Sequence, residues 1–217
     1  MTRRRRRPAP LAAITLTFAA ALTLSGCGGE DGTSDRQGKA ASAGDGPSAS
    51  PSVPMAGDRP AIEFPSDAKN VFEDEKTGDS AKDAVLADSA LSINAVDEAI
   101  FTGSADTKAL GFYNVDKALT SSIAYVQGYI DDNDTWIGVT RYFDRQAKFK
   151  GTDKAYVTYC SDESKSYIKN KKSGKVDRSP ASADSYVLYN TALAKNPAGV
   201  WQTTDISSKR GDAACQP

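Results

Sequence analysis

The chain has 217 residues, of which 27 are basic, 28 acidic, three cysteine and none histidine. The missing histidine excludes Ser-His-Asp and Cys-His catalysis, histidine-ligated metal and a histidine pH switch. A net charge of −1 leaves no electrostatic footprint for nucleic acid.

Residues 3–7 are all arginine, and residues 11–24 carry no charge. That run of about 14 residues suits the apolar centre of an export signal and is short of the ~20 a spanning helix needs. Leu24-Ser25-Gly26-Cys27 follows. This tetrapeptide resembles the lipobox of bacterial lipoproteins. The resemblance implies cleavage before Cys27, a diacylglycerol on its sulfur, and anchoring at the extracytoplasmic face of the cell membrane. Two acyl chains give stable anchoring where one is marginal. A plain secretory signal with a chance cysteine is the competing reading, and Arg3-Arg4 admits a twin-arginine export route. Residues 1–26 hold five arginines and no acid, so 27 basic and 28 acidic residues become 22 and 28, a net charge of −6. Attachment to anionic lipid by charge is therefore not expected, and the membrane partner is reached through the lipid alone. With Cys27 taken by lipid, Cys160 and Cys215 are left as an even pair in an oxidising compartment, which predicts a disulfide. Two free thiols, one of them nucleophilic, is the alternative.

Gly, Ser, Pro and Ala dominate residues 28–60, which predicts a disordered tether. As a flexible coil it would reach about 30 Å on average. The expected organisation is a signal segment at 1–26, the lipidated Cys27 and tether at 27–60, and one domain at 61–217. That domain is large enough for a real core.

Within the domain, Val71 and Phe72 suggest a short extended piece, an edge strand. Asp79 or Ser80 caps a helix that reaches Phe101 and stops at Gly103. Its stripe is Leu86, Ala90, Ile93, Asp97 and Ile100, flanked by Val96 and Phe101. A second helical piece is predicted over 106–112 and a third over 115–130, with Asn114 as N-cap. Val115, Leu119, Ile123, Val126 and Ile130 share one face of the third. The period then changes. Strands are predicted over 136–143, 155–160, 166–168, 185–194 and 200–204, with turns at 131–134, 171–174 and 196–199.

Helices followed by antiparallel strands is the α+β pattern, with helices packed on a curved sheet. The order resembles an NTF2-like (cystatin-like α+β cone) domain, and more narrowly small secreted lipoproteins of high-GC Gram-positive bacteria. The residues that carry this are Lys82-Asp83-Ala84-Val85-Leu86-Ala87-Asp88, Cys160-Ser161-Asp162-Glu163-Ser164, Trp201 and Cys215. The resemblance spans roughly 65–217. It implies a Cys160–Cys215 disulfide, a cone that can hold a pocket, and dimerisation through the open sheet. It implies no set activity, because the superfamily contains both enzymes and binding modules.

Asp97 is the candidate for chemistry. A carboxylate in the apolar stripe, facing a cone interior, would have a raised pKa and could act as general acid or base. Its structural alternative is satisfaction by a Tyr hydroxyl or by Arg141. Tyr125, Tyr129, Tyr142, Tyr156, Tyr159, Tyr186 and Tyr189 are many tyrosines for one core. Of these, Tyr125, Tyr129, Tyr142 and Tyr159 are the expected pocket residues beside Asp97. Asp131-Asp132-Asn133-Asp134 fails the EF-hand spacing, with Trp136 at the sixth position and Tyr142 at the twelfth, so it reads as a turn. The basic run 169–175 reads as a hairpin tip or a contact for an anionic wall polymer, and Asp162 as a turn cap. No metal or cofactor is expected. The leading expectation is a non-enzymatic envelope lipoprotein that binds a small ligand or an envelope partner. The alternative is an isomerase, cyclase or hydratase using Asp97. A solute receptor for an importer is disfavoured, since such receptors need two lobes.

Overall fold

The computed structural model describes residues 59–217. The export segment, Cys27 and most of the tether lie outside the described residues. Those described build a mixed α+β domain: β1 (Ala68–Phe72), α1 (Ser80–Thr102), α2 (Lys108–Tyr113), α3 (Asp116–Asp132), β2 (Asp134–Phe149), β3 (Lys154–Asn170), β4 (Val176–Asp177), β5 (Tyr186–Lys195) and β6 (Trp201–Arg210). The sheet runs β1-β2-β3-β5-β6 and does not close, with β4 paired to the far end of β3. No helix among the described residues is long and apolar enough to cross a membrane.

The ends of α1 follow from its caps. The Asp79 carboxylate accepts from the backbone N–H of Ala81 at 2.9 Å and of Lys82 at 3.3 Å. Gly103 takes the left-handed conformation at φ 72°, and its N–H returns to Ala99 and Ile100. The expectation for α3 fails at its start. Val115 is the N-cap and has no side chain able to accept a hydrogen bond. Asn114 instead ends α2 and is buried, donating to the Ser92 carbonyl and accepting from the Ser92 hydroxyl. The α3 stripe also rotates: Ala118, Ser122 and Val126 are buried, while Ile123 is 39% exposed.

The strands are longer than their hydrophobic signals. Predicted pieces 155–160 and 166–168 are one strand, β3, interrupted by a bulge. At that bulge Val139 faces Lys165 while Arg141 faces Asp162. Gly138 sits beside it at φ 100°, where a Cβ would lie 2.1 Å from the Lys165 carbonyl oxygen, so glycine is required. The sheet is antiparallel except at one edge. β1 pairs parallel to β2, Ala68 opposite Gly138, because three helices intervene and return the chain in the same direction.

Two main core clusters form. Val85 and Leu86 of α1 pack on Tyr142, Val157, Tyr159, Leu193 and Trp201. Ala99 and Ile100, one end of the same helix, pack with Leu110, Val126 and Trp136. Cys160 and Cys215 form a disulfide, with Cα atoms 5.5 Å apart, which fastens the C-terminal turn to β3.

Candidate functional site

A cavity of about 660 Å³ lies against α1, α3 and one face of the sheet. Helix α1 contributes Ser89, Ser92, Ile93, Val96 and Asp97, a spacing that places them on one face. Two of these are serines, and small side chains there leave the space that leucines would fill. Helix α3 contributes Ser122, Tyr125 and Tyr129. The strands supply alternate residues, among them Tyr142 of β2, Tyr159 of β3, and Tyr189 and Thr191 of β5. On β6 a bulge breaks the alternation. The register slips between Ala192 and Leu193 of β5, so that after Thr203 the inward positions become Ile206, Ser208 and Arg210.

All five residues expected at the pocket, Asp97, Tyr125, Tyr129, Tyr142 and Tyr159, line this cavity. Tyr189 joins them, stacked on Tyr159 with ring centres 4.9 Å apart. Tyr156 is 46% exposed and Tyr186 lies outside the lining.

The partners of Asp97 differ from both expected ones. Asn70 Nδ2 of β1 donates to its Oδ2 at 2.7 Å, and Trp136 Nε1 of β2 donates to its Oδ1 at 3.1 Å. Arg141 instead grips Glu73 at 3.2 Å and Asp162 at 3.5 Å. Among the described residues no Lys or Arg forms an ion pair with Asp97. Burial therefore pushes its carboxyl up to about 7, against the pull of the two hydrogen bonds toward the ionised form. Burial likewise pushes the Tyr142 and Tyr159 phenols well above their usual range, so they remain O–H groups at neutral pH. The site therefore offers a carboxyl poised between its two forms and several hydroxyls, the parts of an acid–base or hydrogen-bonding site.

A second acid on α1, Asp88, carries no role in the sequence pattern beyond the resemblance. Asp88 is 3% exposed, forms an ion pair with Arg59, and accepts the Trp201 backbone N–H at 2.8 Å. It stands outside the cavity lining and is fully partnered. Arg59, counted with the tether by composition, is thereby held against the domain. Asn70 and Trp136 were also missed, since their role depends on strand pairing that no local pattern shows. The small serines at 89 and 92 were the one available signal for a hollow beneath α1.

The remaining candidates take part in local structure. Asp131 and Asp132 finish α3, Asn133 closes it in the left-handed conformation at φ 56°, and Asp134 opens β2. In the basic run, Lys171 Nζ donates to the Ile100 carbonyl at 2.8 Å, capping α1, and Lys169 pairs with Asp67 at 3.3 Å. Asp162 accepts the Ser164 N–H at 2.9 Å. No cluster of three potential metal ligands occurs among the described residues.

No family model and no curated protein matches the chain. Among solved structures, it is similar to a ketosteroid isomerase-like protein from Erwinia carotovora atroseptica. That similarity has 16% identity and a TM-score of 0.41, over 58% of this chain and 93% of that one. It is also similar to a protein from Shewanella frigidimarina provisionally described as a ketosteroid isomerase. There the identity is 15% and the TM-score 0.32, over 64% of this chain and 100% of the other.

Proposed function

We propose that this is an envelope lipoprotein, held outside the membrane by lipid on Cys27, whose NTF2-like domain binds a small amphipathic ligand. One observation carries the binding reading: a cavity of about 660 Å³ lined by tyrosines, by serine and threonine hydroxyls, and by four carboxyls beside one arginine. Small-molecule sites are concave and roughly 300–1,000 Å³, and this one sets aromatic rings beside serine and threonine hydroxyls, which suits an amphipathic ligand. The unclosed sheet with helices ahead of it supports the cone reading. The lipobox-like tetrapeptide and the linker composition support the anchor and tether. The test of binding is a thermal-shift screen of the full chain in lipid nanodiscs against small molecules extracted from an envelope. A ligand that raises Tm in proportion to its concentration is expected, and no shift from any fraction would overturn the reading. The test of the anchor is Cys27→Ser, which should shift the protein from the membrane fraction to the medium or leave it unprocessed.

A second reading is favoured by one observation, the Asp97 carboxyl held near pKa 7 at a cavity wall. A group so poised can take a proton from a bound substrate and return it elsewhere, as an isomerase, cyclase or hydratase requires. If a ligand found by the screen is turned over and Asp97→Asn abolishes turnover without loss of binding, catalysis replaces simple binding.

A further inference from the structure

We infer that the ligand of this cavity is an organic cation, an amine or quaternary ammonium carried on an apolar body. The inference rests on the cavity being a ligand site and adds the charge of what fills it. Among the described residues, the charged ones of the lining are Asp97, Glu163, Asp177 and Asp184 against one cation, Arg210. That cation is occupied: its Nη1 donates to Glu163 Oε2 at 2.7 Å and to the Asp184 carbonyl at 2.6 Å. An anionic ligand would meet net negative charge and no free counter-charge.

The deeper wall sharpens the choice. Among the described residues Asp97 has two hydrogen-bond donors and no counter-ion, and a half-buried carboxylate without a cation is costly. A ligand ammonium would supply the missing charge. The surrounding rings add to this, since Tyr and Trp faces attract ammonium groups, more strongly when water is excluded. Trp136, Tyr142, Tyr159 and Tyr189 all border the same space. A neutral ligand would stack equally well and leave the carboxylate unanswered.

The titratable and charged groups that share the cavity with Asp97 are Tyr125 and Tyr129 of α3, Tyr142 of β2, Tyr159, Glu163 and Tyr167 of β3, Asp177 of β4, Asp184 ahead of β5, Tyr189 of β5 and Arg210 of β6. The phenols of Tyr129, Tyr142, Tyr159 and Tyr189 are pushed up by burial, and Glu163 is held by Arg210. Asp97, with its carboxyl near 7, changes protonation near neutrality. A bound cation should draw the proton off it.

The experiment uses the full chain in nanodiscs and three probes of similar shape: benzyltrimethylammonium, its neutral carbon isostere neopentylbenzene, and the anion phenylacetate. The expected result is a dissociation constant for the cation at least tenfold below either of the others. Asp97→Asn should shrink that preference to threefold or less. Should that variant fail to fold, calorimetry of the unaltered chain in two buffers of different ionisation enthalpy decides. The cation should release up to about half a proton at pH 7, and the neutral probe none. Neopentylbenzene binding as tightly as the cation overturns the inference while the cavity remains a ligand site. Binding of the anion best of the three does the same. Failure of all three to bind overturns both.

Discussion

Trp136 donates its indole N–H to Asp97 Oδ1 at 3.1 Å, joining β2 to the C-terminal third of α1 across 39 residues of sequence. The bond favours the ionised carboxylate, and burial opposes it. Trp136→Phe keeps an aromatic ring and removes the donor, together with part of the buried indole. Asp97 should then titrate above its present value of about 7, followed through its carboxyl carbon by NMR. Above that pH the variant should also lose about 1.5–3 kcal/mol, the range for a hydrogen bond to a charged group.

The raised carboxyl also sets a pH dependence of stability. Asp97 binds its proton more tightly folded, near 7, than unfolded, near 3.8. The native state therefore holds more protons between these values, and stability from this group falls as pH rises from 4 to 7, then levels. At about 1.4 kcal/mol per pK unit the loss is up to roughly 4 kcal/mol. Asp97→Asn should remove that slope. Urea unfolding at pH 4 and pH 8 should show the variant gaining on the parent at the higher pH.

Asp88 lies on the same helix and holds the fold through its partners. Its Arg59 partner keeps 31% of its side-chain exposure. Asp88→Ala would strand that guanidinium and the Trp201 N–H, costing about 2–4 kcal/mol, a little below the range for a fully buried pair. Ligand binding should be unchanged once the fold is restored, for example by a stabilising osmolyte. Urea midpoints, with binding measured alongside, check both halves.

The disulfide closes a segment with a sequence separation of 55. In the chain-entropy model that contributes about 4 kcal/mol. Replacing Cys160 and Cys215 together by alanine should lower the unfolding free energy by about that amount. The cavity residues should stay in place, because Cys160 and Cys215 do not line it.

How much of this could be read in the sequence divides by range of interaction. The ends of α1 were legible because Asp79 and Gly103 act on their own backbone neighbours. The tyrosines and Asp97 were legible as a set because aromatic strands and one misplaced acid stand out in a linear pattern. The stripe on α1 was only partly right. That helix is buried on several sides, with Asp88, Ser89 and Ser92 as well as Leu86 and Ile100 inside, so apolarity alone does not mark its cavity face. The bulges that redirect Ile206 and Arg210, the parallel edge of β1, and the donors Asn70 and Trp136 all depend on pairing between distant segments. No local signal encodes them.

The cavity can be tested by filling it. Ser122 of α3 is 6% exposed and lines the wall, and phenylalanine there would occupy the space a ligand needs. Benzyltrimethylammonium should bind the parent chain and bind Ser122→Phe at least tenfold more weakly, with circular dichroism unchanged. Equal binding to both proteins would contradict the placement of the ligand site between α1, α3 and the sheet.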